Sequence, residues 1–247
     1  MNINSYLDST YLKTPQQAGL SVADNTDVVK GFVQEAIDEK FKLIMIRPDM
    51  VAMAKEMIVK AKSTVNVGTV ISFPEGTNSM EMKLAEATKA IEDGADDLDF
   101  VCNYEAFKKG NLEVIKDEVI VLTQLGLEHN KVVKWIIEVA ALNDTQIIQI
   151  SALIKRLVVS NFKEACYPQV FVKSSTGFYK TKNNLPNGAT VPTIIMMLEN
   201  ASPLSVKAAG GVRTYQEAME MIRMGVKRIG TSSAKAIASG ALASGEY

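Results

Sequence analysis

Short β-rich runs alternate with longer helical patterns along the whole chain, and this alternation most constrains the fold. Between the runs, residues 80–93 and 215–224 carry apolar side chains at helical spacing, and a glycine follows each stretch. Eight βα units in 247 residues predict a single-domain (β/α)8 barrel (TIM barrel), an α/β fold. A doubly wound open sheet is the alternative, weakened because no glycine-rich dinucleotide fingerprint follows an early strand. The predicted strands are residues 5–7, 42–46, 65–71, 97–101, 134–137, 170–173, 205–208 and 228–230.

Composition excludes several functional classes. The formal net charge of −1 gives no broad electrostatic reason to expect nucleic acid or an anionic membrane as partner. No apolar run approaches the ~20 residues of a membrane span, and the N-terminus lacks a signal-peptide pattern, so we expect a cytoplasmic protein. Cys102 and Cys166 could pair, but in such a chain we expect free thiols. Because His129 is the single histidine, we expect no His-rich metal centre and therefore no metal-dependent aldolase or hydrolase. We also expect no metal and no cofactor.

Two lysines, Lys173 and Lys207, each end an apolar run and precede a glycine-containing turn. A buried lysine is costly unless it is paired, and active sites of barrels lie where the strands end. Side chains two apart share a strand face, so we expect Asp99 and Lys134 to converge with these lysines inside the barrel mouth. An amine nucleophile must be neutral, which an ordinary lysine with a pKa of ~10.4 rarely is at pH 7. A neighbouring ammonium would lower that pKa. Spacing does not say which lysine reacts, and structural ion pairs are the other interpretation.

A phosphate site is indicated by small residues after the last strands. Many barrels bind phosphate with the loops after strands seven and eight, where small residues let backbone N–H groups approach an anion. The alternative for each motif is an ordinary turn with a Ser or Thr cap. The candidate residues are Gly177, Gly210, Gly211, Gly230, Ser232 and Ser233.

From about Ser5 to about Ser233 the chain resembles deoxyribose-phosphate aldolases, a family of class I, Schiff-base aldolases with a barrel fold. The resemblance is densest in Phe73-Pro74-Glu75-Gly76, in residues 86–101, and in two lysine segments. These are Lys173-Ser174-Ser175-Thr176-Gly177 and Lys207-Ala208-Ala209-Gly210-Gly211-Val212-Arg213. Their combination is highly specific to the family.

The resemblance implies roles by position. Lys173 matches the lysine that forms the imine, and Lys207 the lysine that lowers its pKa. Asp99 matches the aspartate that assists proton transfer through a water, and Lys134 a lysine that would keep Asp99 ionised. The phosphate-binding segments match the glycines and serines named above, while Asp8 and Thr10 match an Asp-x-Thr at the end of the first strand.

Some positions depart from the family pattern. Met45 stands where the family often has a cysteine, residues 154–169 match poorly, and the loop after Gly177 is several residues longer than usual. That loop could alter aldehyde specificity or oligomer contacts. The chain ends in Tyr247, which matches a C-terminal tyrosine that assists proton transfer in some members, and which is otherwise an ordinary tail residue.

The activity implied is reversible cleavage of 2-deoxy-D-ribose 5-phosphate to acetaldehyde and D-glyceraldehyde 3-phosphate, a step of deoxyribonucleotide catabolism. The expected partners are a small sugar phosphate and aldehydes, and a homo-oligomer is left open. One alternative is a related lysine aldolase with a different aldehyde or sugar-phosphate substrate. Another is a non-catalytic barrel used for binding.

Overall fold

Eight parallel strands close into a barrel in the order of the sequence. This computed structural model describes residues 2–182 and 185–240. The first strand (β1, Leu7–Thr10) and the last strand (β8, Arg228–Thr231) close the barrel, with Leu7 paired to Ile229 and Asp8 paired to Gly230. The predicted (β/α)8 barrel in a single domain is confirmed, and the open-sheet alternative is wrong. The strands are β1 (Leu7–Thr10), β2 (Leu43–Ile46), β3 (Asn66–Ile71), β4 (Asp97–Val101), β5 (Val132–Ile136), β6 (Val170–Lys173), β7 (Ser205–Ala209) and β8 (Arg228–Thr231).

Helices surround the barrel and begin where the sequence supplies caps. The Ser79 side chain accepts a hydrogen bond from the N–H of Met82, and Thr214 forms a capping box with Glu217. Both predicted helices are confirmed, the first ending one residue earlier than expected. The helices are α1 (Pro15–Ala18), α2 (Val22–Glu39), α3 (Val51–Lys60), α4 (Met80–Glu92), α5 (Tyr104–Lys108), α6 (Leu112–Glu128), α7 (Asp144–Asn161), α8 (Val191–Ala201), α9 (Tyr215–Met224) and α10 (Ala234–Ser239). Among the described helices, none combines the length and the apolar character that crossing a membrane demands.

The first strand lies further along the chain than residues 5–7. Ile3–Tyr6 form a 3-10 helix instead, because the Asn2 side chain accepts a hydrogen bond from the N–H of Asn4 and caps the turn. Such local side-chain bonding competes with strand pairing, and the strand starts only at Leu7. This shift brings Asp8 into the strand itself rather than just beyond its end.

Alternation in the strands separates the apolar core from the barrel interior. Phe100 and Trp135 stack with ring centroids 5.2 Å apart, and the Trp135 indole N–H donates to the Thr123 hydroxyl of α6 at 3.0 Å. These side chains pack outward against the helices, where truncating a buried aromatic typically costs about 3–5 kcal/mol. Their neighbours in sequence, Asp99 and Lys134, contact each other inside the barrel. The strands therefore hold charged groups in a rigid frame.

Candidate active site

Strand register brings the predicted catalytic residues together in the barrel mouth. Lys173 pairs with Lys207 across β6 and β7, and Asp99 pairs with Lys134 across β4 and β5. Lys173 Nζ lies 2.8 Å from Asp99 Oδ2, and Lys207 Nζ lies 3.0 Å from the same oxygen. Lys134 Nζ lies 2.7 Å from Asp99 Oδ1. All three lysines thus share one carboxylate.

Two more aspartates complete the ion pairs beneath this centre. Lys207 Nζ lies 2.7 Å from Asp8 Oδ2, and Lys134 Nζ lies 2.7 Å from Asp97 Oδ2. Each of these two lysines therefore contacts two carboxylates, and all four side chains are fully buried. Asp8 lies below the mouth, so its place in the structure is that of a partner for Lys207.

Arg228 was not predicted as a site residue, yet it links the same aspartates. Its Nη2 lies 2.6 Å from Asp8 Oδ1 and 3.3 Å from Asp97 Oδ2. The sequence did carry a signal for it. Arg228 stands two residues before Gly230 and therefore shares its strand face, which points into the barrel.

The cluster holds one more cation than it holds carboxylates. Its described members are the cations Lys134, Lys173, Lys207 and Arg228 and the carboxylates Asp8, Asp97 and Asp99. Lys173 contacts one carboxylate, whereas each of the other cations contacts two. The charges therefore balance when Lys173 loses its proton.

The pKa values follow this imbalance. Burial, assisted by the Lys207 ammonium, lowers the pKa of Lys173 to about 8, although Asp99 opposes the change. At pH 7 roughly a tenth of the amine is then neutral, against about one in 10³ for an ordinary lysine. Burial alone would raise the pKa of Asp99, but Lys134, Lys173 and Lys207 together hold it well below its usual range. The cluster thus supplies a much larger neutral fraction of amine than an ordinary lysine has, beside an ionised carboxylate.

A pocket opens beside Lys173 between the turns after β6, β7 and β8. Of the predicted phosphate-binding set, it is lined by Gly177, Gly210, Gly211, Gly230 and Ser232, and also by Thr10. Three of these glycines adopt positive φ angles, 82° at Gly177, 82° at Gly210 and 86° at Gly211. Only glycine adopts that backbone without strain, so the turns can fold tightly around a ligand.

Sequence reasoning missed Arg213, which also lines the pocket. The motif that contains it ends in Val212-Arg213, so its position after β7 was the available signal. Ser233 lies at the start of α10, where its N–H donates to the Thr231 hydroxyl at 3.0 Å, and it is not among the residues lining this pocket. Tyr247 lies outside the described residues.

The comparisons with known proteins identify the family of the chain. The family model described as DeoC/LacD family aldolase matches residues 10–243. The chain belongs to this aldolase family. It is 38% identical over 242 residues to the deoxyribose-phosphate aldolase of Thermococcus gammatolerans, covering 98% of this chain and 97% of that one. It is 34% identical to the deoxyribose-phosphate aldolase of Streptococcus gordonii over the full length of both chains.

A solved structure gives the same fold. The deoxyribose phosphate aldolase of Aeropyrum pernix, described as having a unique tetrameric structure, superposes with a TM-score of 0.77 at 28% identity. The match covers 96% of this chain and 89% of that one. The similarity therefore extends over nearly all of the barrel.

In this aldolase Gly230 makes room for a catalytic candidate. A Cβ at Gly230 would lie 3.0 Å from Lys207 Cε and 3.2 Å from the Cβ of Ala209. Both contacts are tighter than ordinary van der Waals separation, so a larger residue would displace the Lys207 side chain. Gly230 therefore serves the lysine as well as the pocket.

The long loop after Gly177 folds back onto the pocket. Asn187 Nδ2 donates to the Gly177 carbonyl at 3.2 Å, and Asn187 lines the pocket. The Ala189 N–H donates to the Gly210 carbonyl at 2.8 Å, and a Cβ at Gly188 would lie 2.3 Å from that oxygen. Nothing local in the sequence announces Asn187 as a site residue, because only the return of the loop brings it to the pocket.

Met45, the expected departure from the family pattern, lies in β2. It is buried in an apolar cluster with Leu12, Leu43 and Val70. A Cβ at Gly68 would lie 2.7 Å from Met45 Cε, so the glycine leaves room for the longer side chain. The methionine therefore adds apolar contacts at this position.

Within residues 2–182 and 185–240, no group of three or more His, Cys, Asp or Glu side chains has an arrangement that could hold a metal ion. The two cysteines are free, as predicted, with Cys102 buried and Cys166 partly exposed.

Proposed function

We propose that this aldolase reversibly cleaves 2-deoxy-D-ribose 5-phosphate to acetaldehyde and D-glyceraldehyde 3-phosphate through an imine on Lys173. The observation that carries the proposal is Lys173 itself, a buried amine with a pKa of about 8 in a cluster with one cation in excess. Full-length relatives at 34% and 38% identity bear the name deoxyribose-phosphate aldolase. The pocket beside Lys173 suits the phosphate end of such a substrate.

The reaction begins with the neutral amine. Lys173 attacks the C1 aldehyde to give a carbinolamine, which loses water to form a protonated imine. The C3 hydroxyl then gives its proton to a base, the C2–C3 bond breaks, and its electron pair forms an enamine on Lys173. Glyceraldehyde 3-phosphate leaves at this step. Protonation at C2 and hydrolysis release acetaldehyde and restore the amine.

Asp99 is the base of this proposal, acting through a water molecule. Its contact with three lysines keeps it ionised, and its Oδ2 lies 2.8 Å from Lys173 Nζ. Lys207 would help burial to lower the pKa of the Lys173 amine, and Lys134 would hold the carboxylate in place from the other side. Asp8 would retain Lys207 in its position.

The substrate phosphate would lie in the pocket formed by the turns after β6, β7 and β8. Arg213 adds a cation to its lining, and Thr10 closes it from β1 while its hydroxyl donates to the Asp8 carbonyl at 2.9 Å. Holding the phosphate fixes the reacting carbon over Lys173. The phosphate-binding residues proposed are Gly177, Gly210, Gly211, Gly230, Ser232 and, through its hydroxyl, Ser233. The role of Tyr247 in proton transfer stays a prediction.

The proposal extends to the setting of the enzyme. Two free cysteines fit a reducing compartment, which supports the cytoplasm. A homo-oligomer is supported by the tetrameric structure described for the relative from Aeropyrum pernix. Size-exclusion chromatography with light scattering measures the assembly directly.

Borohydride reduction with acetaldehyde tests the imine. We expect N-ethylation at Lys173 in the wild type, identified by peptide mass mapping, and no trapped product in Lys173→Ala. Lys116→Met, at a half-exposed lysine outside the barrel, is the matched control and should react as the wild type does. Label on a different lysine, or full turnover in Lys173→Ala, would refute the assignment. A panel of phosphorylated sugars distinguishes the proposed substrate from those of related aldolases.

A further inference from the structure

Glu138 is a buried carboxylate that the proposed reaction does not use. It stands two residues after the end of β5 and adopts a φ of 54°, a left-handed backbone that residues other than glycine seldom take. Its side chain is almost wholly buried, at 1% exposure. Glu138 Oε2 accepts hydrogen bonds from the N–H of Thr176, at 3.1 Å, and from the Thr176 hydroxyl. A strained and buried acid of this kind needs a reason.

The reason lies in the turn that follows Lys173. Both hydrogen-bond donors of Thr176 point to Glu138, and the Thr176 hydroxyl oxygen accepts from the N–H of Phe178 at 3.0 Å. The Thr176 side chain therefore fixes the backbone on either side of Gly177. Gly177 is the residue of this turn that combines a φ of 82° with a place in the proposed phosphate pocket.

The two ends of the turn have separate anchors. At the Lys173 end, the Ser174 hydroxyl donates to the Ala209 carbonyl at 2.8 Å, and the Ala209 N–H donates back to that hydroxyl at 2.9 Å. At the Gly177 end, Glu138 holds Thr176, and Asn187 Nδ2 donates to the Gly177 carbonyl from the other side of the pocket. Loss of the Glu138 carboxylate should therefore loosen Gly177 while Lys173 stays attached to β7.

Charge strengthens the anchor. Burial raises the pKa of Glu138 to about 6, while the bonds from Thr176 and the nearby Lys173 ammonium oppose that rise. The carboxyl is thus mostly ionised at neutral pH, and hydrogen bonds to a charged group are worth more than neutral ones.

We propose that Glu138 is a positioning residue for phosphate recognition, holding Thr176 so that Gly177 stays in place around the substrate phosphate. This inference rests on the proposed function of the pocket. Loss of the Glu138 carboxylate should weaken phosphate binding while imine formation at Lys173 continues. A general loss of structure would instead impair both.

The test compares four variants on two substrates. Glu138→Ala and Glu138→Gln, with Thr176→Val and its conservative control Thr176→Ser, are assayed with 2-deoxyribose 5-phosphate and with unphosphorylated 2-deoxyribose. For Glu138→Ala we expect KM for the phosphorylated sugar to rise about ten-fold or more, with kcat and the use of 2-deoxyribose changed less than about three-fold. Glu138→Gln should recover most of the KM, because its amide oxygen can accept the same two bonds. Thr176→Val should lie between, and Thr176→Ser near the wild type.

Equal losses on both sugars, or a wild-type KM in both Glu138→Ala and Thr176→Val, would overturn the proposal. If Glu138→Ala does not fold, the pair at Thr176 decides, because Val keeps the backbone N–H bond and removes only the hydroxyl. Borohydride trapping with acetaldehyde separates this test from that of the function. Absence of trapping at Lys173 in the wild type would refute the function itself, whereas normal trapping with an unchanged KM in the variants refutes only the role of Glu138.

Discussion

Replacing Lys207 with methionine should raise the pKa of Lys173. The two Nζ atoms lie 2.8 and 3.0 Å from the same Asp99 oxygen, so they are at most about 5.8 Å apart. At an effective dielectric constant of about 20, two like charges at that distance repel by about 2.9 kcal/mol, which corresponds to about 2 pKa units. Since the wild-type value is about 8, the variant should titrate near the value of an ordinary lysine. The neutral fraction of Lys173 at pH 7 should fall about 100-fold.

The assay is the rate of borohydride trapping with limiting acetaldehyde, followed by intact mass across a range of pH. In the wild type we expect this rate to rise through a midpoint near pH 8. In Lys207→Met the midpoint of this pH profile should move up by about 2 pH units, and the maximal trapping rate reached at high pH should be largely retained. Lys116→Met, which removes a half-exposed lysine paired with Glu113, should leave the profile unchanged.

An unchanged midpoint in Lys207→Met would refute the electrostatic role of Lys207. A midpoint that falls would contradict that role as well, because removing a like charge and freeing Asp99 from one partner should both favour the Lys173 ammonium. A lower plateau with an unchanged midpoint would assign Lys207 to a later step than amine activation.

Three further predictions concern Asp99, Gly230 and Gly188. The pKa of Asp99 is lowered in the folded protein, so the ionised carboxylate stabilises the fold above about pH 4, and this stabilisation is lost as pH falls. The free energy of unfolding measured in urea should therefore decline below that pH, and the decline should be shallower in Asp99→Asn. A free energy of unfolding that does not change with pH in the wild type would contradict this prediction. Gly230→Ala should displace the Lys207 side chain and lower kcat about ten-fold or more in steady-state kinetics. The melting temperature in calorimetry should change by only a few degrees. An unchanged kcat would mean that the Lys207 side chain adapts to the added methyl group. Gly188→Ala should push the turn at Gly210 aside and raise KM for the sugar phosphate several-fold with acetaldehyde trapping intact; reduced trapping would place the damage at the imine instead.

Most of the catalytic cluster could be predicted from sequence because strand geometry is simple. Side chains alternate along a strand, and in a barrel the strand ends meet at one mouth, so Asp99, Lys134, Lys173 and Lys207 could be brought together without coordinates. The glycine turns after the last strands were predictable for the same reason. The assignment of Lys173 as the imine-forming residue came from the motif resemblance, because spacing alone left both lysines as candidates.

The rest depends on contacts between distant segments. Arg228 lies at the start of β8, and although it shares a strand face with Gly230, its contact with Asp8 forms only across the closure of the barrel. Glu138 and Thr176 are 38 residues apart, and their hydrogen bond requires a left-handed backbone that the sequence does not announce. Asn187 reaches the pocket only because its loop folds back. Such contacts are set by tertiary packing and not by local pattern.

The excess cation of the barrel cluster has a consequence for bond cleavage. With Lys173 neutral, three cations face three carboxylates and the buried centre carries no net charge. Protonation of the imine would restore a positive charge that the three aspartates of the cluster do not balance. Breaking the C2–C3 bond delivers an electron pair to that nitrogen and removes the charge, so the surroundings favour the enamine over the iminium. The same fixed charges that prepare the amine would then drive the electron flow that splits the sugar.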